Sequence, residues 1–258
     1  MILTDKQRTV ADAALDEECA QRHHVVIALS GAHAYGFPSP DSDLDLKAIH
    51  IAPTEALLGL DAPKEAFDRL EVIDGVEIDY TSNELGLVLR GILKGNGNFL
   101  ERVLGPILLR SGPELEELQA IARGAFNRRV HHHYRGFASN QYTRVERDIQ
   151  PPAKRVLYVL RTALTGTHLL LEGELVTDVT ELLDRYGYGD AGELIEAKKA
   201  GELTRLDPPT KMRWIAELDH ALSALDEAYD RSPLPDQAPN RDEANAWLIR
   251  TRAARLTR

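Results

Sequence analysis

Cysteine and long apolar runs are both scarce in this sequence, and each absence excludes a class of protein. Cys19 stands alone among 258 residues, which rules out an internal disulfide and a zinc site built from several cysteines. No apolar stretch approaches the roughly 20 residues that a membrane-spanning helix needs. The N-terminal stretch MILTDKQRTVADAALDEE has neither the basic nor the apolar region of a signal peptide. We therefore expect a cytoplasmic protein with no membrane segment.

Positive charge is also in the minority, but it is unevenly spread. The formal net charge is −10, which argues against a protein that coats nucleic acid along its whole surface. Residues 123–161 are the exception, because nine arginines and lysines stand there against Glu146 and Asp148. That local excess is compatible with an anion site. The overall composition, 43% hydrophobic and 28% charged, is that of a folded globular protein.

The first part of the chain mixes one helix with several short β-patterns. The stretch from Asp5 to Arg22 suits a helix, with Thr4 as its N-cap. The run HHVVIAL and the alternating stretch Leu44–Ile51 each predict a strand. In RLEVIDGVEIDYTS, two further β-runs are joined by Asp74-Gly75, a strong hairpin signal.

From Asn83 onward, nearly every segment has the 3.6-residue period of a helix. The helix that begins in NELGLVLRGILK is expected to stop at Gly95. Further helices are predicted near residues 113–126, 132–148, 153–171, 180–186, 193–200, 211–229 and 242–255. We therefore predict an α/β (α+β) protein with a sheet domain over residues 1–110 and an all-helical domain over residues 111–258.

Two carboxylates lie inside the alternating pattern of DSDLDLKAIH. Strand side chains alternate between faces, so Asp43, Asp45 and Lys47 share one face while Leu44 and Leu46 point to the core. Two rises of about 3.3 Å place the Cα atoms of the aspartates about 7 Å apart. Carboxylate oxygens suit Mg²⁺, which commonly shares its coordination shell with substrate phosphates. Without a cation, the two carboxylates would repel each other.

A third acid is expected from the neighbouring β-run VEIDY, where Glu77 and Asp79 share a face, and we favour Asp79. Three carboxylates with two divalent cations, Mg²⁺ or Mn²⁺, can activate an acceptor oxygen and hold a triphosphate and its leaving pyrophosphate. The pattern predicts nucleotidyl transfer, with Asp43, Asp45 and Asp79 as both catalytic residues and metal ligands. The alternative is that these acids rim a loop and contact only solvent.

Gly31 precedes the acidic strand by a turn-rich interval of ten residues, His33 to Ser42. A glycine lets the backbone approach a phosphate, and the residues after it can begin a short helix whose N–H groups face the anion. One glycine is weak evidence by itself. The order of strand, glycine, interval and acidic strand adds to its weight.

These features resemble the DNA polymerase β superfamily of nucleotidyltransferases, whose signature is an apolar residue, Gly, Gly or Ser, an interval, and then acid-apolar-acid-apolar. Over about the first 175 residues, four blocks resemble the predicted nucleotidyltransferases associated with bacterial RNA-repair operons: SGAHAYGFPSPDSDLDLKAIHIAP, EIDYTS, LKGNGNFLE and LRTALTGTHLLLEGEL. The resemblance implies a small palm-like sheet domain followed by a helical domain. It also implies an NTP substrate, Asp43 and Asp45 as metal ligands, and Asp79 as the third acid.

One position departs from the superfamily signature, because Ala32 stands where a serine hydroxyl would donate to the triphosphate. The loss of one hydrogen bond to a charged group is worth roughly 1.5 to 3 kcal/mol, which lowers activity by about one to two decades. Ser30, Ser39 and Ser42 are each able to supply the donor instead. Ala32 is also the reason to keep a non-catalytic interpretation.

Further polar residues are candidate contacts for the nucleotide. Lys47 can neutralise phosphate charge, or it is a surface lysine at the end of a strand. A polar stripe on one predicted helix, which suits a triphosphate or is a solvated face, consists of Lys154, Tyr158, Arg161 and Thr165. The predicted nucleotide-binding residues are Ser30, Gly31, Ala32, Ser42, Lys47, Lys154, Tyr158 and Arg161.

The predicted reaction moves a nucleoside monophosphate from an NTP to a hydroxyl and releases pyrophosphate. An RNA end is the preferred acceptor, because of the basic segment 123–161 and the setting of the family that the sequence resembles. A protein hydroxyl or a small molecule such as an aminoglycoside is an alternative acceptor, and a nucleotide-binding regulatory module is the alternative to an enzyme. A glycosyltransferase with an Asp-x-Asp motif is weaker, because roughly 40 residues before the motif are too few for a nucleotide-sugar domain. The sequence leaves the oligomeric state open.

Overall fold

The strands of the described chain form one mixed five-stranded sheet. The computed structural model describes residues 3–199, 201 and 204–256. The strands are β1 (His23–Leu29), β2 (Leu44–Ile51), β3 (Ala66–Ile73), β4 (Val76–Glu84) and β5 (Leu108–Ser111). Their order across the sheet is β3-β4-β2-β1-β5. Strands β2 and β4 run parallel, and the other neighbouring pairs are antiparallel.

Local sequence accounts for most of this sheet. The predicted hairpin joins β3 to β4, and its turn residues Asp74 and Gly75 both have positive φ, 50° and 76°, as a tight hairpin turn requires. Strands β1 and β2 have the bounds that the β-patterns predict. Strand β5 was missed, because four residues are too few to establish an alternating pattern.

Helices make up most of the rest of the described chain. They are α1 (Asp5–Gln21), α2 (Gly31–Ala34), α3 (Thr54–Leu58), α4 (Leu85–Ile92), α5 (Gly97–Leu104), α6 (Leu115–Gly124), α7 (Val130–Arg147), α8 (Ala153–Glu172), α9 (Thr180–Leu183), α10 (Gly192–Lys199), α11 (Pro208–Arg231) and α12 (Arg241–Ala253). A 3-10 turn over Gly189–Ala191 precedes α10. Among the described residues, no helix is both long and apolar enough to cross a membrane.

The helix ends follow ordinary capping chemistry. Thr4 caps α1 as predicted, since its hydroxyl accepts a 3.2 Å hydrogen bond from the Gln7 N–H. Helix α5 was not predicted, yet Asn96 is its N-cap and accepts from the Phe99 N–H at 3.4 Å. Ala200, which the sequence places at the end of the helix that became α10, lies outside the described residues.

The chain forms two compact units that alternate along the sequence. The first consists of Met1–Gly31, Asp43–Phe126 and Ala238–Arg258, and the second of Ala32–Ser42 and Asn127–Gln237. The predicted domains have one boundary, after residue 110, whereas the chain passes between these two units four times, after residues 31, 42, 126 and 237. Helix α12 belongs to the first unit for a physical reason: Trp247 is buried, and the guanidinium of Arg252 donates to buried Glu84 over 2.8 Å.

The core of the first unit lies between one face of the sheet and α1. Leu44, Leu46 and Ala48 of β2 are fully buried there, together with Ile78 of β4 and Leu15 of α1. Because side chains alternate along a strand, the residues between them point to the opposite face. That opposite face of β2 and β4 carries the predicted acidic site.

The core of the second unit is built around α8, which is buried along nearly its whole length. Gly166 lets α7 approach closely, since a Cβ at that position would lie 2.7 Å from the Cβ of Tyr134. Helices α7, α10 and α11 all pack against α8. The unit is therefore a helical bundle with one central member.

Candidate active site

Two of the three predicted acids lie side by side on neighbouring parallel strands. The register of β2 and β4 pairs Asp45 with Asp79, and neighbouring strands are about 4.8 Å apart. Both side chains are partly exposed, Asp45 to 28% and Asp79 to 47%. Glu77, the alternative third acid, is exposed and precedes the first β4 residue that pairs with β2. The register therefore favours Asp79 over Glu77 as the partner of Asp45.

Asp43 lies immediately before β2 and follows the same alternation. Asp43, Asp45 and Lys47 are partly buried, whereas Leu44 and Leu46 between them are fully buried. Asp43 therefore lies on the Asp45 side of the chain, as the spacing predicts. It brings a third carboxylate to this part of the first unit.

Gly31 is held directly against the Asp45 carboxylate. Its φ is +62°, and a Cβ built on it would overlap the Asp45 carboxylate group. The neighbouring Ser30 N–H donates to the main-chain oxygen of Asp45 over 2.8 Å. Only glycine combines this left-handed backbone with this close approach. The glycine of the motif thus leaves room for the aspartate of the strand.

Lys47 places its ammonium group between the two paired acids. The Nζ atom lies 2.9 Å from Asp79 Oδ1 and 3.7 Å from Asp45 Oδ1. It also donates to the main-chain oxygen of Asp79 over 3.2 Å. Lys47 is therefore more than a surface lysine at the end of a strand, because it neutralises part of the negative charge of the acids.

The donor set fits a hard divalent cation. Asp43, Asp45 and Asp79 offer only carboxylate oxygens, which are the ligands that Mg²⁺ and Mn²⁺ prefer. The position of Lys47 shows that a cation is already accepted between two of them. No group of three or more His, Cys, Asp or Glu side chains is preassembled for a metal within the described part of the chain. Lys47 therefore competes with a metal ion for the oxygens of Asp45 and Asp79.

The interval after Gly31 is built into the second unit. The Ser42 hydroxyl accepts from the Ser39 N–H over 2.9 Å, and the ammonium group of Lys198 donates to both serine hydroxyls over 2.6 Å. Ala32 and Ser42 are both buried. The Ser42 hydroxyl is thus committed to contacts inside this unit, and its assignment to the nucleotide stays a prediction.

Sequence reasoning missed Lys198, which is fully buried. A signal was present, because Lys198 follows Leu194 and Ile195 at helical spacing and shares their buried face of α10. Nearby His33 is also buried, and burial, followed by the charge of Lys198, lowers the pKa of its imidazole. Lys198 therefore joins α10 to the interval between the glycine and the acidic strand through Ser39 and Ser42.

The polar stripe on α8 packs against the same interval. The Arg161 guanidinium carbon lies 3.6 Å from the ring centroid of Tyr35, and Tyr158 meets Tyr35 and Phe37 edge-on at 5.7 and 5.6 Å. Lys154 Nζ is 5.9 Å from the Tyr158 ring. Arg161 is 4% exposed, whereas Lys154 and Tyr158 are partly exposed, so the Arg161 end of the stripe is covered within this unit. Its role as a nucleotide contact stays a prediction.

Most of the sequence matches a protein family. Residues 8–250 match the RlaP family, described as the RNA repair pathway DNA polymerase beta family. This chain belongs to the RlaP family. The DNA polymerase β resemblance seen in the glycine and the acidic strand is thereby confirmed, and it extends through the helical part. RlaP membership places the chain among the nucleotidyltransferases of that superfamily.

Relatives of this RlaP chain occur in archaea and bacteria. Uncharacterized protein MJ0002 of Methanocaldococcus jannaschii is 30% identical over 217 residues, which cover 83% of this chain and 87% of that protein. Uncharacterized protein YcgL of Bacillus subtilis is 26% identical over 209 residues, with coverages of 73% and 79%. The solved structure of a nucleotidyltransferase-like protein from Exiguobacterium sibiricum also matches. The match covers 92% of this chain and 76% of that chain, with 13% sequence identity and a TM-score of 0.32.

Proposed function

We propose that this protein transfers a nucleoside monophosphate from an NTP to a hydroxyl group, with an RNA end as the preferred acceptor. The observation that carries the proposal is the pairing of Asp45 with Asp79 beside Gly31. Family membership supports the nucleotidyltransferase chemistry. The basic segment 123–161 supports an acceptor that carries phosphates.

The acids have distinct roles in this proposal. Asp43 and Asp45 hold the divalent cations, Mg²⁺ or Mn²⁺, and Asp79 completes the set and assists removal of the proton from the acceptor hydroxyl. Bound divalent cations would activate the acceptor oxygen and stabilise the leaving pyrophosphate. The bond from the acceptor oxygen to the α-phosphorus forms, the bond from that phosphorus to the oxygen bridging it to the β-phosphate breaks, and pyrophosphate leaves.

Ser30, Gly31 and Lys47 serve the nucleotide in the same proposal. Gly31 has no side chain beside the Asp45 carboxylate, so a phosphate that shares a cation with Asp45 can approach the main chain at Ser30 and Gly31. Lys47 exchanges its carboxylate partners for phosphate charge when the cations bind, because a lysine acts as a mobile point charge.

The test is a transfer assay with labelled NTP, Mg²⁺ and RNA oligonucleotides. Asp43→Asn, Asp45→Asn and Asp79→Asn should each lower transfer by about 100-fold or more, because each removes charge from the transition-state cluster. Glu77→Gln is the matched control, since Glu77 is an exposed acid two residues before Asp79 on the same strand. Equal transfer by the Asp45→Asn variant and the wild type would disprove the assignment.

The acceptor is identified by the same assay with other hydroxyls. RNA ends, protein hydroxyls and an aminoglycoside are offered in turn with the same labelled NTP. We expect label on the RNA. Label on a protein or on the aminoglycoside would replace RNA as the acceptor and leave the chemistry of the acids intact.

A regulatory module that binds a nucleotide without transferring it is the second candidate. Ala32 favours it, because a buried methyl group stands where the superfamily signature has a hydroxyl donor. Calorimetry with NTP and Mg²⁺ distinguishes the two functions when it is combined with a pyrophosphate assay. Binding with no pyrophosphate release for any acceptor would support the module.

A further inference from the structure

A cavity lies within the first unit at the C-terminal end of β2, beside His50 and Ile51 and away from Asp45. It has a volume of about 510 Å³, and its lining includes Arg22, His50, Lys64 and Phe67. His50 follows Asp45 by five residues on the same strand, a separation of about 17 Å at roughly 3.3 Å per residue. Cavities of about 300 to 1,000 Å³ hold small molecules. This cavity is therefore separate from the proposed metal site and large enough for a ligand.

The charged groups that line the cavity are mostly cations. Arg22, Lys64 and Arg255 contribute to its wall, against one carboxylate from Glu55. Arg22 and Arg255 form ion pairs with acids that are not part of that wall. These carboxylates orient the two guanidinium groups, and Arg22 also donates to the amide oxygen of Gln21 over 3.0 Å. In a chain of net charge −10, this concentration of cations favours an anionic ligand.

Lys64 is the most available of these cations. Its side chain is exposed, and it forms no ion pair with any residue in the described part of the chain. Its Nζ lies 5.7 Å from the centroid of the Phe67 ring. The Arg22 guanidinium carbon lies 4.2 Å from the same centroid. A guanidinium and an ammonium group, both able to bind phosphate, thus lie against the same aromatic ring.

The remaining wall is aromatic and apolar. The ring of Phe67 meets that of His50 edge-on at 5.3 Å, and His50 is fixed from behind by a 2.8 Å hydrogen bond with the Ser82 hydroxyl. Pro53 and Ile51 add apolar surface. Flat aromatic and guanidinium groups are the surfaces on which nucleobases stack. The wall thus offers a place for a planar ring next to the two cations.

We propose that this cavity is a second ligand site that takes a nucleoside monophosphate, either free or as the terminal nucleotide of an RNA. The phosphate lies between Arg22 and Lys64, and the base lies along Phe67. The site needs no divalent cation, because its charges are side-chain cations. It goes beyond the proposed transfer reaction and does not depend on it.

Isothermal titration calorimetry in EDTA tests this site without contributions from metal-dependent binding. AMP should bind to the full-length protein, inorganic phosphate should compete with it, and adenosine should bind at least about tenfold more weakly, since it lacks the charged contacts. Lys64→Glu and Phe67→Leu should each weaken AMP binding by about tenfold. Lys94→Glu is the matched control, because Lys94 is an exposed lysine of the same unit outside the cavity.

Asp45→Asn separates this site from the proposed active site. AMP binding should be unchanged in Asp45→Asn even though transfer is lost. Loss of AMP binding in Asp45→Asn, equal AMP affinity in Lys64→Glu and the wild type, or no AMP binding at millimolar concentration would each overturn the proposal. RNA with a 5′-phosphate and the same RNA with a 5′-hydroxyl then identify the source: competition by the phosphorylated strand alone indicates an RNA end, and no competition by either indicates the free nucleotide.

Discussion

Lys47 and Asp79 form an ion pair of 2.9 Å across two parallel strands. Asp45 lies beside Asp79 in the register and 3.7 Å from the same ammonium group. A lysine in this position lowers the repulsion between two neighbouring carboxylates. It also competes with any metal ion for their oxygens.

Substitution of Lys47 should separate metal binding from transfer. Lys47→Gln is expected to tighten Mn²⁺ binding by about fivefold, because a competing charge worth roughly 1 kcal/mol at a partly exposed site is removed. Transfer should nevertheless fall, since Lys47 is proposed to contact the triphosphate. Calorimetric titration with Mn²⁺ and the transfer assay give the two readouts. Unchanged Mn²⁺ affinity would show that Lys47 does not compete for the acids.

Gly31→Ala should remove activity through contact with Asp45 rather than through backbone strain alone. Gly75→Ala is the matched control, because Gly75 also has positive φ, +76°, but its nearest neighbour would be Lys6 Nζ at 3.8 Å. Both variants should lose about 1 kcal/mol of unfolding free energy. Gly31→Ala alone should lose Mn²⁺ binding and transfer. Equal activity in the two variants would contradict the role assigned to the Gly31 contact.

Glu84 should be among the acids that matter most for stability of the first unit. It is 2% exposed, caps α4 through a 2.6 Å hydrogen bond from the Gly86 N–H, and binds Arg252 of α12. Glu84→Ala should cost about 3 kcal/mol in urea unfolding, since it removes a helix cap and leaves a partly buried guanidinium without its acid.

The control for Glu84→Ala is a variant that breaks a solvent-exposed ion pair. Glu65→Ala breaks the pair with Arg90, in which both side chains are more than half exposed, and should cost less than about 1 kcal/mol. Similar losses for the two variants would mean that burial of Glu84 contributes nothing to stability.

Buried His24 should make the protein less stable in mild acid. Burial, followed by the charge of Arg22, lowers the pKa of His24 from 6.5 to about 4. Between these values the unfolded chain binds a proton that the folded chain does not, so stability falls as pH falls from about 6.5 towards 4. From pH 7.5 to 5, this residue should account for a loss of about 2 kcal/mol.

Unfolding by urea at pH 7.5 and pH 5 measures this effect. The loss on acidification should be about 2 kcal/mol smaller in His24→Gln than in the wild type. The exposed histidine His132, replaced by Gln, controls for the change of residue type. An equal loss in His24→Gln and the wild type would exclude His24 as a source of the pH dependence.

Local patterns predicted the fold class and most elements. The alternation in Leu44–Ile51 and the Asp74-Gly75 turn are local signals, because one short stretch contains all the information. Strand β5 was missed because its pairing with β1 depends on residues far away in the sequence. The membership of α12 in the first unit was missed for the same reason, because it depends on contact between Glu84 and Arg252, which are far apart in the sequence.

The candidate site, too, could be predicted only where its geometry depends on local sequence. The shared face of Asp43 and Asp45 follows from strand geometry, and the structure adds the pairing of Asp45 with Asp79. The ammonium group of Lys47 between two acids could not be predicted, because a flexible side chain has many rotamers. Buried Lys198 was missed because its serine partners lie more than 150 residues earlier in the chain.

The placement of residues 32–42 in the second unit has a consequence for biosynthesis. Phe37 leaves the ribosome about 120 residues before Tyr158, the aromatic residue against which it packs. At a synthesis rate of about 5 to 20 residues per second, Phe37 lacks this packing partner for roughly ten seconds. Helix α12, which belongs to the first unit, is synthesised after all of the second unit. Neither unit can therefore finish folding before much of the later chain has emerged, and a fragment that begins at residue 127 would lack part of its own core.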